Sequence, residues 1–262
     1  MPEQYLPVLD FGNGIRVKNI EAPIKRLSFR AFRRDFAPFI RKRESIYSRT
    51  PGGTTWHSFK PTGEKVLEYY LTMRALALNP KSTYLDIASC LSLFPNYVAE
   101  RIGGTIHRQD LFYPEGIRTI EFPHVTRSIH RRVPVRISCI GCDACDLPLE
   151  SSTVDHITLH CSFEHFEGDA DGRFAAEALR VLRPGGRMLI IPFYCGNEYQ
   201  EIVKEDFSTG CQFHRYYDSV TFVDRVLSKI ELPYSLEMRY YRNSRSIDDS
   251  FYCDYSLAIV RE

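Results

Sequence analysis

The chain has 262 residues, of which 44% are hydrophobic and 26% charged. That composition excludes a disordered, collagen-like or coiled-coil chain and leaves room for a sizeable buried core. Lys and Arg number 34 and Asp and Glu 33, for a net charge of +1, which argues against a general nucleic-acid binder.

The balance is uneven. Residues 1–60 hold 12 basic and 5 acidic residues, and residues 61–262 hold 22 and 28. The first 60 residues are therefore read as a basic N-terminal arm and 61–262 as the domain. Between Lys25 and Tyr47 the basic residues (Lys25, Arg26, Arg30, Arg33, Arg34, Arg41, Lys42, Arg43) interleave with Phe32 and Phe36. Such a pattern either grips an anionic partner such as RNA or packs its aromatics on the body of the protein. Pro51-Gly52-Gly53 marks a turn after it.

Residues 64–78 carry Val66, Leu67, Tyr70, Leu71 and Leu78 at three-four spacing, which predicts a helix ended by Asn79-Pro80. Strand and helix signals then alternate. Strands are expected at 83–87, 105–110, 135–141, 154–161 and 187–192. Helices are expected at 95–102, with Gly103-Gly104 after it, and at 174–182, before the turn Arg183-Pro184-Gly185-Gly186. Arg118–Arg136 reads as a long connection rich in Arg. A helix over 218–230 capped by Asp218, with Val220, Val223, Val226, Leu227 and Ile230 inward, and strands at 234–241 and 255–260 close the chain. The order predicts an α/β fold: a Rossmann-like, doubly wound, mostly parallel sheet with helices on both faces and an antiparallel C-terminal edge.

In such a sheet ligands bind beyond the carboxyl ends of the strands. Asp86 to Ser92, Gln109-Asp110, Gly141 to Pro148 and His160 to His165 occupy those positions. Asp110 follows Asp86 at about the offset at which an acid meets a ribose hydroxyl. The blocks Gly141-Cys142-Asp143-Ala144, Asp146-Leu147-Pro148-Leu149, Glu164-His165 and Glu177-Ala178-Leu179-Arg180-Val181-Leu182-Arg183-Pro184-Gly185-Gly186-Arg187 resemble those of class I S-adenosylmethionine-dependent methyltransferases, over roughly residues 64–262.

That resemblance implies S-adenosylmethionine as cofactor. Its loop would be formed by Asp86, Ala88, Ser89 and Cys90. Asp110 would bind the ribose hydroxyls, Asp143 and the Ala144 backbone the adenine, and Cys161 with Ser162 would lie beside the methionine part. The loop departs from the family pattern, since Ala88, Cys90 and Ser92 stand where three glycines are expected. Two alternatives follow: a working site with an unusual loop, or a decayed site on a retained fold that serves as a binding module. The acids after the first three strands favour the working site. His165 is the candidate general base, with Glu164 orienting it or acting in its place.

The acceptor implied is an oxygen or nitrogen of a small molecule or glycan precursor, with an RNA acceptor as a further alternative. His214-Arg215-Tyr216-Tyr217 either shapes an acceptor pocket or packs beneath a lid. Cys139-x2-Cys142-x2-Cys145 is read as small residues in a strand and turn rather than as a metal site. No apolar run is long enough to span a bilayer, no leader segment is evident, and reduced cysteines in a cytoplasmic protein are expected.

Overall fold

The computed structural model describes residues 11–12, 14–47, 63–89, 92–111, 116–121, 136–203, 213–241 and 255–262, with backbone alone at 40–47, 63–64, 116–121 and 136. Among these residues eleven strands and five helices run in the order β1 (Val17–Glu21), α1 (Arg26–Tyr47), α2 (Gly63–Ala75), β2 (Thr83–Ile87), α3 (Phe94–Arg101), β3 (Thr105–Gln109), β4 (Gly116–Glu121), β5 (Arg136–Gly141), β6 (Val154–His160), α4 (Ala170–Val181), β7 (Leu182–Ile191), β8 (Gln200–Val203), β9 (Phe213–Tyr216), α5 (Ser219–Arg225), β10 (Tyr234–Tyr240) and β11 (Tyr255–Arg261).

Nine strands form one sheet in the order β1-β10-β11-β7-β6-β2-β3-β5-β4. The five strands from β7 to β5 are parallel, and β11 and β4 run against their neighbours. The chain winds outward from β2 in both directions. The switch point therefore falls between β2 and β6, where a doubly wound sheet leaves a crevice.

Alternation along the strands makes two cores. Leu85, Ile157, Leu159, Met188 and Ile190 face α4 and α5. Tyr84, Ile106, Leu189 and Ile191 face α1, α2 and α3. A side chain cannot serve both faces of a strand, so the polar residues between these apolar ones, Asp86, Thr158 and His160, necessarily look toward α2.

The five parallel strands and the antiparallel closing pair appear within about a residue of their expected bounds, apart from β7. That strand begins at Leu182 and absorbs Arg183-Pro184-Gly185-Gly186 as a bulge, since its register with β6 passes from Val154↔Leu182 to His156↔Arg187. Gly185 takes the left-handed conformation there, at φ +80°.

Two expectations need correction. β10 and β11 are not the sheet edge, because β1 pairs in parallel outside β10, with Val17 opposite Leu236. The helix expected over 218–230 is broken into α5 and a 3-10 turn at Leu227–Lys229; Asp218 does cap it, accepting the Thr221 N–H at 2.7 Å, but Val220 is 67% exposed. Val226, Leu227 and Ile230 reach the core through the turn instead.

Within residues 1–60, β1 joins the sheet, and α1 packs Phe29, Phe36 and Phe39 against Tyr69, Tyr70 and Tyr97. Arg26, Arg30, Arg33 and Arg34 lie on the exposed side of α1. Side chains 41–43 and the Pro51-Gly52-Gly53 turn fall outside the described residues. The connection read at Arg118–Arg136 begins as β4, and residues 122–135 are likewise outside. Among the described residues no helix is long and apolar enough to cross a membrane.

Candidate active site

The loops at the carboxyl ends of β2, β3 and β5 are tied together by Gln109. Its Oε1 accepts the Ala88 N–H at 3.2 Å, its Nε2 donates to the Cys142 carbonyl at 2.6 Å, and its own carbonyl accepts the Ser89 N–H at 2.9 Å. A single buried amide thus sets the spacing of three loops. Gln109 follows from no motif; only its place at the end of a strand marks it in the sequence.

Asp86 does not face the crevice. It is 1% exposed. Its carboxylate accepts from Ser89 Oγ at 2.7 Å, Thr158 Oγ1 at 2.8 Å, His160 Nδ1 at 3.1 Å and Tyr84 Oη at 3.2 Å. Burial opposes the charged form, but the His160, Ser89 and Thr158 hydrogen bonds outweigh it and hold the carboxyl below its ordinary range. Asp86 fastens the loop from beneath: Ser89 is drawn down onto it, and His160 is fixed between Asp86 and Thr72 Oγ1, 3.0 Å from its Nε2.

Ala88 stands at φ +49° with its methyl exposed. A left-handed turn that would suit glycine is made here by alanine, at a cost on the order of 1 kcal/mol. Ala88→Gly is therefore expected to raise stability by about 0.5–1 kcal/mol, read as a higher urea midpoint with unchanged slope; an unmoved midpoint would show that the loop carries no such strain. Cys90 lies outside the described residues.

Asp110, 5% exposed, directly follows β3, and its N–H donates to Ile140 O at 3.1 Å. Asp143 is exposed after β5, and its Oδ1 caps the turn by accepting the Cys145 N–H at 2.9 Å; Ala144 beside it is buried. Asp110, Asp143 and Ala144 therefore lie along one edge of the sheet with Ala88 and Ser89. Cys142 and Cys145 are thiols raised by burial to about 11 and about 12, and Cys145 Sγ donates to Ala170 O.

At the end of β6 the chain turns through Cys161, at φ +50°, into a 3-10 turn at Phe163–His165. Here α2 supplies two residues that the sequence did not mark. Lys65 Nζ donates to Glu68 Oε2 at 3.1 Å and to His160 O at 3.2 Å, and Cys161 Sγ donates to Glu68 Oε1 at 3.2 Å. Burial alone would lower the Lys65 ammonium, and the Glu68 carboxylate more than reverses that. Burial, then Glu68, raises the Cys161 thiol well above its ordinary value, so it remains a donor. Their helix reads as an ordinary apolar one, and only the fold brings its first turns over β6.

Glu164 is 3% exposed beside this group, and its Oε2 has no hydrogen-bond partner. Burial, with Glu68 adding to it, pushes its carboxyl up to about 8. His165 Nδ1 lies 2.6 Å from Phe213 O. A carbonyl only accepts, so the ring proton sits on Nδ1 and Nε2 is left as an acceptor. That Nε2 is 3.6 Å from Glu164 Oε1, and the ring packs 4.3 Å from that of His214. The buried Arg215 and Tyr217 of the same segment are turned away, to Asp171.

Residues 85–190 match a family described as a methyltransferase domain. No curated protein matches the chain. Among solved structures it is similar to the 1,6-didemethyltoxoflavin N1-methyltransferase of Burkholderia thailandensis, solved with 1,6-didemethyltoxoflavin and S-adenosylhomocysteine. Identity is 15%, 93% of each chain is covered, and the TM-score is 0.52. It is also similar to a phosphoethanolamine N-methyltransferase of Haemonchus contortus bound to phosphomonomethylethanolamine and S-adenosylhomocysteine. There identity is 14% over 89% of this chain and 60% of the other, with a TM-score of 0.50. At such identities the likeness is one of fold.

Proposed function

We propose that this chain, which carries a class I S-adenosylmethionine-dependent methyltransferase domain, transfers the methyl group to an oxygen or nitrogen of a small molecule or glycan precursor. The observation that carries the reading is the Gln109 bridge, which holds the three cofactor-side loops in register although the first of them lacks its expected glycines. The residues fit the cofactor: Ala88 makes the left-handed turn, Asp110 ends β3 where a ribose would lie, and the buried Ser162 Oγ and Glu164 Oε2 are without partners. The two N-methyltransferases above support a small nitrogen-bearing acceptor. Free thiols at 139, 142, 145, 161 and 195 agree with a reducing cytoplasm.

When bound, the cofactor supplies an already activated methyl group, so alignment provides much of the rate. Asp110 binds the ribose hydroxyls, and Asp143 with the Ala144 backbone holds the adenine. Ser89 and Cys161 line the loops on either side of β2 and β6. Glu164 and His165 handle the acceptor's proton, Glu164 inside and His165, with its side chain 22% exposed, toward solvent. Calorimetry with S-adenosylmethionine tests the cofactor assignment, and methyl transfer from labelled cofactor across a panel of small acceptors tests the activity. Asp110→Ala is expected to weaken cofactor binding about tenfold or more, and His165→Ala to slow turnover roughly 100-fold. Unchanged affinity would remove the ribose role, and full turnover the part of His165 in moving the proton.

A further inference from the structure

The buried group at the end of β6 has an uneven charge. Lys65 and Glu68 neutralise one another as an ion pair. Glu164 is then a second carboxyl with no cation of its own, its Oε2 sealed from water and lacking a partner. The groups around it are Lys65 and Glu68 from α2, Cys161 from the same loop, and His165, whose ring meets that of His214 of β9 edge to face. An unpaired buried carboxylate costs several kcal/mol, so without a cation the group stays a neutral acid. A cation brought beside it reverses the preference.

We propose that Glu164 is the proton acceptor of the methyl transfer and that the charge on the cofactor's sulfur switches it between acid and carboxylate. The inference rests on the methyltransferase reading. With the positively charged sulfonium in the site, Glu164 gives up its proton through His165 to solvent and stands as a carboxylate. The acceptor's lone pair then bonds to the methyl carbon, the C–S electron pair stays on sulfur, and the acceptor's proton passes to Glu164. Sulfur is now neutral and Glu164 is again an acid, so the net charge of the site is the same before and after. The base is thereby charged only when there is a methyl group to transfer.

S-adenosylmethionine and S-adenosylhomocysteine differ by the methyl group and the sulfonium charge, so the pair isolates the effect. Calorimetry of the wild-type protein in two buffers of different ionisation enthalpy counts the protons released by each. At pH 7 S-adenosylmethionine is expected to release close to one proton more than S-adenosylhomocysteine, and at pH 9 only about a tenth of one, since Glu164 is by then ionised beforehand. In Glu164→Gln the difference should vanish at both pH values, and the preference for the sulfonium ligand should fall about tenfold. Equal proton release by both ligands in the wild type, or an undiminished difference in the variant, overturns the proposal and leaves the methyltransferase assignment standing. Failure of both ligands to bind overturns the assignment and the proposal together.

Discussion

Asp171→Ala is expected to cost about 3–5 kcal/mol of stability, the largest loss from any single substitution considered. Asp171 is fully buried at the start of α4. It accepts Arg215 Nη1 at 2.8 Å, Tyr217 Oη at 2.8 Å and Arg225 Nε at 3.2 Å. Arg215 is itself 1% exposed and also reaches Glu201 and the carbonyls of Phe166 and Gly168. Removing the carboxylate strands a guanidinium in the core, a far larger penalty than the net worth of the pair. The same carboxylate joins α4, β9 and α5, so the loss should spread to the segment that carries Phe213 and His214. A melting temperature lowered by on the order of 10 °C checks the claim. A shift of a degree or two would mean that Glu201 alone satisfies Arg215.

A second expected result concerns pH. Because the Glu164 carboxyl is raised to about 8 in the folded protein, the native state holds its proton more tightly than the unfolded chain does. Stability is then complete below the ordinary glutamate range near 4.5 and declines as pH rises toward 8. The decline amounts to roughly 2–5 kcal/mol, set by the cost of ionising a buried acid. Glu164→Gln keeps the shape and removes the titration. The variant should match the wild type near pH 4, below the ordinary glutamate value, and exceed it at pH 8 in urea midpoint. Parallel curves for the two proteins would show that Glu164 is not the titrating group.

The parallel half of the fold was legible because buried strands write themselves plainly. Thr83–Ile87 and Val154–His160 are short runs between turn signals that place Leu85, Ile87, Ile157 and Leu159 on one face, and Pro184-Gly185-Gly186 leads into another strand. β1 was not legible. Val-Lys-Asn-Ile-Glu is a polar edge strand whose only reason to be a strand is β10, at the other end of the chain. The β8–β9 pair escaped for the same reason, since its pairing partners are what define it.

In the site, the acids after β2, β3 and β5 could be found by position. The direction in which each points could not. Asp86 lies on the α2 face of its strand, and its role as a fastener depends on Thr158 and His160, whose proximity is tertiary. Lys65 and Glu68 stood on a helix with no chemical signature. Their importance comes from a buried carboxyl almost a hundred residues away, outside any local pattern.

The parallel pairing of β1 with β10 carries a consequence for synthesis. Val17 meets Leu236, so β1 leaves the ribosome long before the strand it pairs with. At about 5–20 residues per second it waits roughly 10–40 s with its backbone groups unpaired. Lys18, Asn19 and Glu21 suit that interval, because charged and polar residues discourage an orphan strand from pairing with another chain. Docking of β1 is thus a closing step that follows completion of β10, and a chain cut short before Leu236 leaves β1 without its partner strand.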